Sequence, residues 1–338
     1  FLLVDPHPGA LQVAPDGRMV VADRAKSRFL VFSPEGRFLC SMGGKGEGPG
    51  LFKRWFGAYA LDEAGFINQV DYWGGNRGVS VFDLEGRLKR FIRLNLQEPC
   101  GPQKIFIGKD GQMRLLLERV SPECRVADLR FSGARVSLCD LDPRGGVCDC
   151  GLSVPVFHDF SDLDGTAWPA IPFRVTLLSA WSVESGVLGW QKADEEELHF
   201  FSPSSGRSWK TANGFQRRRV GRQELRDWVS EHMVYPQYRP FEAIYRKLLR
   251  SGRTVEPFRP VVGRVLGDQG GGFYVVSTRN GEEPYRVCHV LPQGRVARSF
   301  LVRVLPSWIG TDKVYSLDYD EKEDVWVLVV VSRDTTPW

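Results

Sequence analysis

The sequence predicts an all-β protein: a six-bladed β-propeller closed by its N-terminal strand, with a short helical insertion between blades 4 and 5. Three observations predict it. Short apolar runs alternate with glycine-tipped turns. Four such runs fill each stretch of about 40 residues, the size of one antiparallel blade. Helical spacing of apolar residues is convincing in one region only.

The unit is plainest at the start. Leu11–Ala14 is a short apolar run, and Pro15-Asp16-Gly17-Arg18 is a tight turn in which Pro and Asp pre-set the bend and Gly accepts positive φ. Met19–Ala22 returns, Arg28–Phe32 is a third strand, Ser33-Pro34-Glu35-Gly36 turns again, and Arg37–Ser41 is the fourth strand. Blade 2 repeats this with turns at Asp62–Gly65 and Asp83–Gly86. Its two turn glycines lie 21 residues apart, against 19 in blade 1. Blade 3 opens at Lys104–Ile107 and turns at Lys109-Asp110-Gly111. Its third strand is expected near Val126–Phe131 and its outer strand at Val136–Cys139. Residues 142–170 then read as a long crossing, with Phe157–Asp164 an acidic loop. Blade 4 covers Val175–Trp209, and blade 5 begins at Val261. Blade 6 has Val314–Tyr319 and Val325–Ser332 but lacks a convincing outer strand. Phe1–Val4, without a partner of its own, is expected to pair there and close the ring. The blades therefore span about 8–52, 53–98, 99–155, 168–216, 255–303 and 304–338 plus 1–4, in a single domain. The insertion, 217–252, shows helical spacing at Leu225, Trp228 and Val229 and again at Phe241, Ile244, Tyr245 and Leu248.

At these residues a resemblance becomes specific. Asp16-Gly17-Arg18 with Val21-Ala22-Asp23, then Arg28-Phe29 and Gly36-Arg37-Phe38-Leu39, resembles an NHL-type repeat. Gly46-Glu47-Gly48-Pro49-Gly50-Leu51-Phe52 is similar to the connector of that family. The chain thus resembles the bacterial six-bladed, NHL-like propellers over nearly its whole length. The stretch from Arg259 to Asp268, running into Gly272-Phe273-Tyr274-Val275, is similar to the segment that follows a helical excursion in that group. The resemblance implies export to the periplasm or the cell exterior, or a lipid anchor on a segment ahead of Phe1.

Composition narrows the reading. A net charge of +4 over 338 residues exerts no strong pull toward nucleic acid. No apolar run reaches membrane-spanning length. No G-x-S-x-G elbow, P-loop or dinucleotide fingerprint is present, and Gly43–Gly48 follows an outer strand and opens no helix, so it reads as a blade connector. Seven cysteines, an odd count, leave at least one thiol outside any internal pair. Cys124, Cys139, Cys148 and Cys150 cluster in the sequence and form disulfides, buried free thiols or a metal site.

Function is less legible. On this scaffold, functional groups converge at the mouth of the central channel. The metal-dependent lactonases and lyases that share it need several ligands from different blades. Here His7 lies just before the first inner strand, and Asp159, Asp162 and Asp164 form a weak oxygen set for Ca²⁺, with Zn²⁺ the other option. Solvated turns account equally for the acids. The densest basic run is Arg217, Arg218, Arg219, Arg222 and Arg226, with Trp228, Tyr235 and Tyr238 nearby. The readings are an acidic protein or anionic headgroup as partner, RNA, or an ordinary solvated helix face. The first expectation is a non-enzymatic scaffold propeller without a cofactor, an exported subunit that docks on other protein subunits. A metal-dependent lactonase or lyase and a nucleic-acid binder are the alternatives.

Overall fold

The computed structural model describes residues 6–23, 25–52, 58–72, 76–96, 100–126, 129–161, 177–234, 239, 242–251, 258–278, 283–320, 323 and 325–332. The sheets follow one another as simple antiparallel meanders. Blade 1 is β1 (Pro6–Val13), β2 (Met19–Asp23), β3 (Arg28–Phe32) and β4 (Phe38–Gly43). Blade 2 is β5 (Tyr59–Leu61), β6 (Ile67–Asp71), β7 (Gly78–Phe82) and β8 (Leu88–Arg93). Blade 3 is β9 (Cys100–Ile107), β10 (Met113–Val126), β11 (Leu129–Leu141) and β12 (Val147–Ser161). Blade 4 is β13 (Leu177–Ser182), β14 (Val187–Lys192), β15 (Glu197–Ser202) and β16 (Arg207–Ala212). The insertion holds β17 (Arg218–Arg219), α1 (Arg222–Met233), α2 (Glu242–Ser251) and β18 (Phe258–Arg259). Blade 5 is β19 (Val262–Gly267), β20 (Phe273–Ser277), β21 (Tyr285–Leu291) and β22 (Arg295–Val302). Blade 6 shows β23 (Trp308–Ile309), β24 (Lys313–Asp320) and β25 (Val325–Ser332). The all-β ring of six blades with a helical insertion between blades 4 and 5 is the predicted architecture. The pairing expected for Phe1–Val4 lies outside the described residues.

The alternation of apolar residues puts one face of each strand toward each neighbouring blade, so the core is a ring of inter-blade clusters. Phe29, Phe52, Ile67 and Phe82 fill the space between blades 1 and 2. Val70, Ile92, Ile105 and Leu115 lie between blades 2 and 3, and Phe106, Leu138, Leu188 and Phe201 between blades 3 and 4. Phe200 and Phe273 join blades 4 and 5, and Tyr274, Ile309 and Val314 join blades 5 and 6. Leu11, Met19 and Val21 of blade 1 pack on Tyr315, Leu317 and Leu328 of blade 6, so the ring closes on apolar contact. Burying each such side chain is worth about 1.5–3 kcal/mol.

The Gly-rich connector ends on Phe52, fully buried, with ring centroids 6.3 Å from Phe29 and 6.1 Å from Phe82. Gly43 must be glycine: its φ is +81°, and a Cβ there would stand 2.5 Å from the Phe52 ring. Consecutive blades also dock at the rim. The turn between third and fourth strands leans on the outer strand of the preceding blade. Cys40 Sγ donates to Leu84 O (3.3 Å), Asn95 N to Gly145 O (3.0 Å), and Trp209 Nε1 to Pro292 O (2.6 Å).

Blade 3 corrects the sequence reading. Val136–Cys139 belongs to the third strand, β11, not the outer one, and Phe157–Ser161, with His158, continues the outer strand β12 rather than forming a loop. The stretch expected as the third strand, near Val126–Phe131, is instead the top of a long hairpin, with β10 ending at Val126 and β11 beginning at Leu129. Its prolines are accommodated for identifiable reasons: Pro122 falls where the β10–β11 register shifts, and Pro155 lies on the edge strand β12.

Candidate functional site

Chain direction sorts the connections. In a four-stranded meander the first and third turns share one end of the sheet. The second turn and the link to the next blade share the other. The first end carries the short turns built on Gly17, Gly36, Gly65, Gly86, Gly111 and Gly145, all at positive φ. Among the described residues, the second end carries the large additions: the lengthened β10–β11 hairpin of blade 3 and the helical insertion after blade 4.

β10 has 14 residues where β2 and β6 have five each. At about 3.3 Å per residue that is roughly 45 Å against 17 Å. Because β9 pairs with β10 only up to Cys100–Arg119, the rest of the hairpin, with the end of β12, extends beyond the inner strand as a three-stranded flag.

The insertion is held at its neck. Arg217 Nη2 lies 2.9 Å from the buried Asp194 carboxylate, and its guanidinium stands 4.1 Å from the Phe258 ring centroid. The Arg217 amide donates to Glu196 Oε1 (2.7 Å). β17 pairs with β18, so the chain leaves and re-enters as a short ribbon. Gly221 begins α1, and Glu224 reaches back to its amide (2.8 Å) while pairing with Arg218 (3.1 Å). Leu225 and Val229 are buried, as is Tyr245 of α2. Trp228 is half-buried, stacked on His232 (3.6 Å between centroids) and edge-on to Tyr245 (5.7 Å). The apolar stripe predicted from spacing is therefore the surface that joins the two helices.

The predicted partner residues separate into three groups. Arg217 is spent on Asp194 of blade 4, Arg218 and Trp228 are engaged within the insertion, and Arg219 lies 5.7 Å from the Phe258 ring centroid. Arg222 and Arg226 are exposed, one turn apart on α1, and have no partner among the described residues. Tyr235 and Tyr238 lie outside the described residues. The sequence reading missed α2's contribution: Arg246, Lys247 and Arg250 are exposed at i, i+1 and i+4, on positions opposite Tyr245. The signal was present in the same helical spacing that marked Tyr245. Counted over 217–252, nine Lys and Arg face four Asp and Glu. The rest of the chain has 36 against 37, so the net positive charge resides in the insertion.

The other sequence-derived residues do not converge. Cys124 sits opposite Phe131 near the hairpin tip, while Cys139 pairs with Leu115 nine positions lower, about 30 Å along the strand. A disulfide between them is impossible at that separation. Cys139, Cys148 and Cys150 are free thiols in the structure, so of the three readings for the cluster the disulfide one is not formed among these three. Burial, then Asp149, pushes the Cys139 thiol up to about 11. Burial, then Asp140, pushes Cys150 up to about 12. Both stay protonated near neutral pH and are poor nucleophiles. His7 falls in β1 and Asp159 in β12 opposite Ser132. Asp162 and Asp164 lie outside the described residues. Among the described residues, no three His, Cys, Asp or Glu side chains converge as a metal site. His199 and His289 lie in third strands. His289 Nε2 is 2.9 Å from Asp268 Oδ2 under the Tyr274 ring, and His199 lies beneath Trp190. No helix among the described residues is long and apolar enough to cross a membrane.

The sequence matches no family model and no curated protein. Its fold is similar to the crystal structure of a DUF4221-family member from Bacteroides vulgatus, with TM-score 0.57 and 10% identity over 98% of this chain and 93% of that one. A streptogramin B lyase aligns over 98% and 96% of the two chains at 8% identity with TM-score 0.46. A virginiamycin B lyase from Staphylococcus aureus aligns over 97% and 86% at 8% identity, with TM-score 0.43. At these identities the likeness to the first establishes the propeller fold alone, and the two lyases carry no argument about chemistry. The NHL-repeat type expected from the motifs has no matching family model behind it.

Proposed function

We propose that the protein is a non-enzymatic binding propeller that docks an acidic protein surface against the exposed basic faces of α1 and α2. The observation that carries this reading is the charge distribution: an essentially neutral ring bears an insertion with five more cations than anions. Exposed Arg222, Arg226 and Lys247 have no internal partner among the described residues. Unpaired surface cations steer an oppositely charged partner and set its orientation, and they do so through desolvation at contact and long-range attraction at moderate salt. The neck pins the insertion to blade 4 through Arg217 and Asp194, which supplies a fixed platform rather than a tethered arm. We extend the reading to an exported accessory subunit, on the resemblance alone.

The test is affinity purification from the native source with the wild-type chain and with Arg222→Glu/Arg226→Glu/Lys247→Glu, followed by mass spectrometry and metal analysis of each sample. A stoichiometric acidic chain retained by the wild type and lost from the variant is the expected result. A metal-loaded monomer, or a partner held equally by both, would overturn the proposal. Alkylation with mass measurement of the same sample counts free thiols. Seven would argue against an oxidising compartment.

A further inference from the structure

The basic insertion has a counterpart of opposite sign on the same end of the ring. The stretch from Asp318 to Asp324 sets five carboxylates against one lysine in seven residues, and no other seven-residue stretch of the chain holds as many acids. Its balance mirrors the nine cations to four anions of 217–252. β24 and β25 are the second and third strands of blade 6, so the turn between them lies at the second end of the sheets. The insertion, a link between blades, lies at that end too. Asp318 and Glu323 are exposed and have no cation partner among the described residues. Asp318 Oδ1 accepts only the neighbouring amide of Tyr319 (3.0 Å). Tyr319 is 41% exposed, and its ring lies 5.3 Å from that of Trp326, its partner across the strand pair. Aromatic rings beside carboxylates suit a guanidinium, which stacks on the one and pairs with the other.

Within one chain the two elements are held apart, since blade 5 stands between the insertion and blade 6. The ion pairs that the insertion does make are with its own residues or with blade 4: Arg217 with Asp194, Arg218 with Glu224, and Arg246 with Glu242. Exposed cations on one element and exposed anions on the other are thus left over on a single face of the ring. Symmetry gives that arrangement a consequence. Two patches on one face are interchanged by a two-fold axis that runs parallel to the face, midway between them. Two copies packed second end to second end about that axis make the contact twice, each insertion meeting the other copy's acidic turn. Such an interface is self-complementary. A face carrying cations alone would repel its own copy.

We propose that the acidic surface on which the insertion docks is the β24–β25 turn of a second copy of this chain. The inference rests on the reading of the insertion as a docking platform and names its partner. Each contact sets Arg222, Arg226 and Lys247 of one copy against Asp318 and Glu323 of the other. Exposed ion pairs are individually weak. Forming the second contact inside an already joined pair is what makes the association stable. Salt screens exposed charges, so the dimer is salt-sensitive.

The experiment is size exclusion with light scattering on the intact chain, over a range of concentrations at low and at high salt. A dimer that dissociates on dilution and in salt is expected. Arg222→Glu/Arg226→Glu/Lys247→Glu and, separately, Asp318→Lys/Glu323→Lys should each weaken it by about tenfold or more. The chain carrying both sets regains opposite signs and should dimerise as the wild type does. A wild type that stays monomeric at every concentration, a dimer indifferent to both reversals, or no recovery in the combined chain would overturn the inference. A second measurement needs no variant. Carbodiimide coupling of mixed heavy- and light-isotope copies should join Lys247 of one copy to Asp318 or Glu323 of the other, and links confined to single copies would count against the dimer. A monomeric wild type that captures a different, acidic chain from the native source would leave the docking reading standing and remove only the second copy as partner. A chain that neither self-associates nor captures one removes both.

Discussion

The two ends of the sheets solve different problems. At one end the chain turns within four or five residues, in blades 1 to 5 on a glycine at positive φ, and the turns dock on the preceding blade at the rim. At the other end it spends 36 residues on the insertion and lengthens β10 to 14 residues. The first end is fully engaged in holding the ring. The second carries exposed charge that no internal contact uses. Elements added to a closed ring are free to change without opening it, which is why a binding function falls on them.

The sharpest way to test this division is at the turns. Gly145→Ala forces an L-residue to φ +87° and places Cβ 1.6 Å from Arg93 O. It should destabilise the ring by about 3 kcal/mol in urea denaturation. Gly36→Ala, with φ +82° and nothing within 4 Å, should cost only about 1 kcal/mol. Equal losses would mean that the rim docking of the blade 3 turn contributes nothing.

Tyr245→Ala removes the fully buried ring that joins α2 to Trp228. A loss of about 3 kcal/mol is expected, confined to the insertion. The far-UV helical signal should fall while the main denaturation midpoint of the ring stays in place. A single cooperative shift of both would show that the insertion is part of the ring's core. Arg217→Ala leaves the buried Asp194 without its cation and should cost about 1–2 kcal/mol, lessened by the exposure of Arg217 itself.

The pH dependence probes a buried inter-blade contact, that of Lys104. Burial lowers the Lys104 pKa to about 8 from 10.5. Below pH 8 both folded and unfolded chains hold this proton, so it adds no slope. Between about 8 and 10.5 the unfolded chain holds it and the folded chain does not, so this group's contribution to stability rises with pH. The rise should be present in the wild type and absent from Lys104→Met when denaturation midpoints are compared across that window. The smallest effect belongs to Arg222→Glu/Arg226→Glu, expected to change ring stability by less than about 0.5 kcal/mol while abolishing partner binding. A large loss of stability would place these residues in the structural end of the comparison.

Much of the ring was legible because its signals are local. Asp16-Gly17, Pro34-Glu35-Gly36 and Asp83–Gly86 declare their turns through the backbone each requires, and Leu225, Trp228, Val229 and Tyr245 declare the helices through spacing. Blade 3 was misread for the opposite reason. Val136–Cys139 read as an outer strand and Phe157–Asp164 as an acidic loop, yet the register carries β11 through the first and β12 through Phe157–Ser161, a proline being tolerated at a bulge and on an edge. The site followed the same rule. The basic run was visible, but that Arg217 binds Asp194 and that Trp228 is spent on Tyr245 depends on residues 23 and 17 positions away. Lys104 and Arg264 gave no signal at all, since nothing in their neighbouring residues shows that their side chains reach Ser179 O and Pro306 O of the next blades.

The sequence by itself determined the all-β class, the six-fold repeat, the place of the insertion and its surplus charge, because turn chemistry, periodicity and charge count are properties of short stretches. Tertiary structure alone decided which cations are consumed by internal partners, which thiols are too far apart to pair, and which inner-strand cations reach the backbone of the next blade. Those outcomes depend on distances between segments remote in the chain, and such distances exist only once the ring has closed.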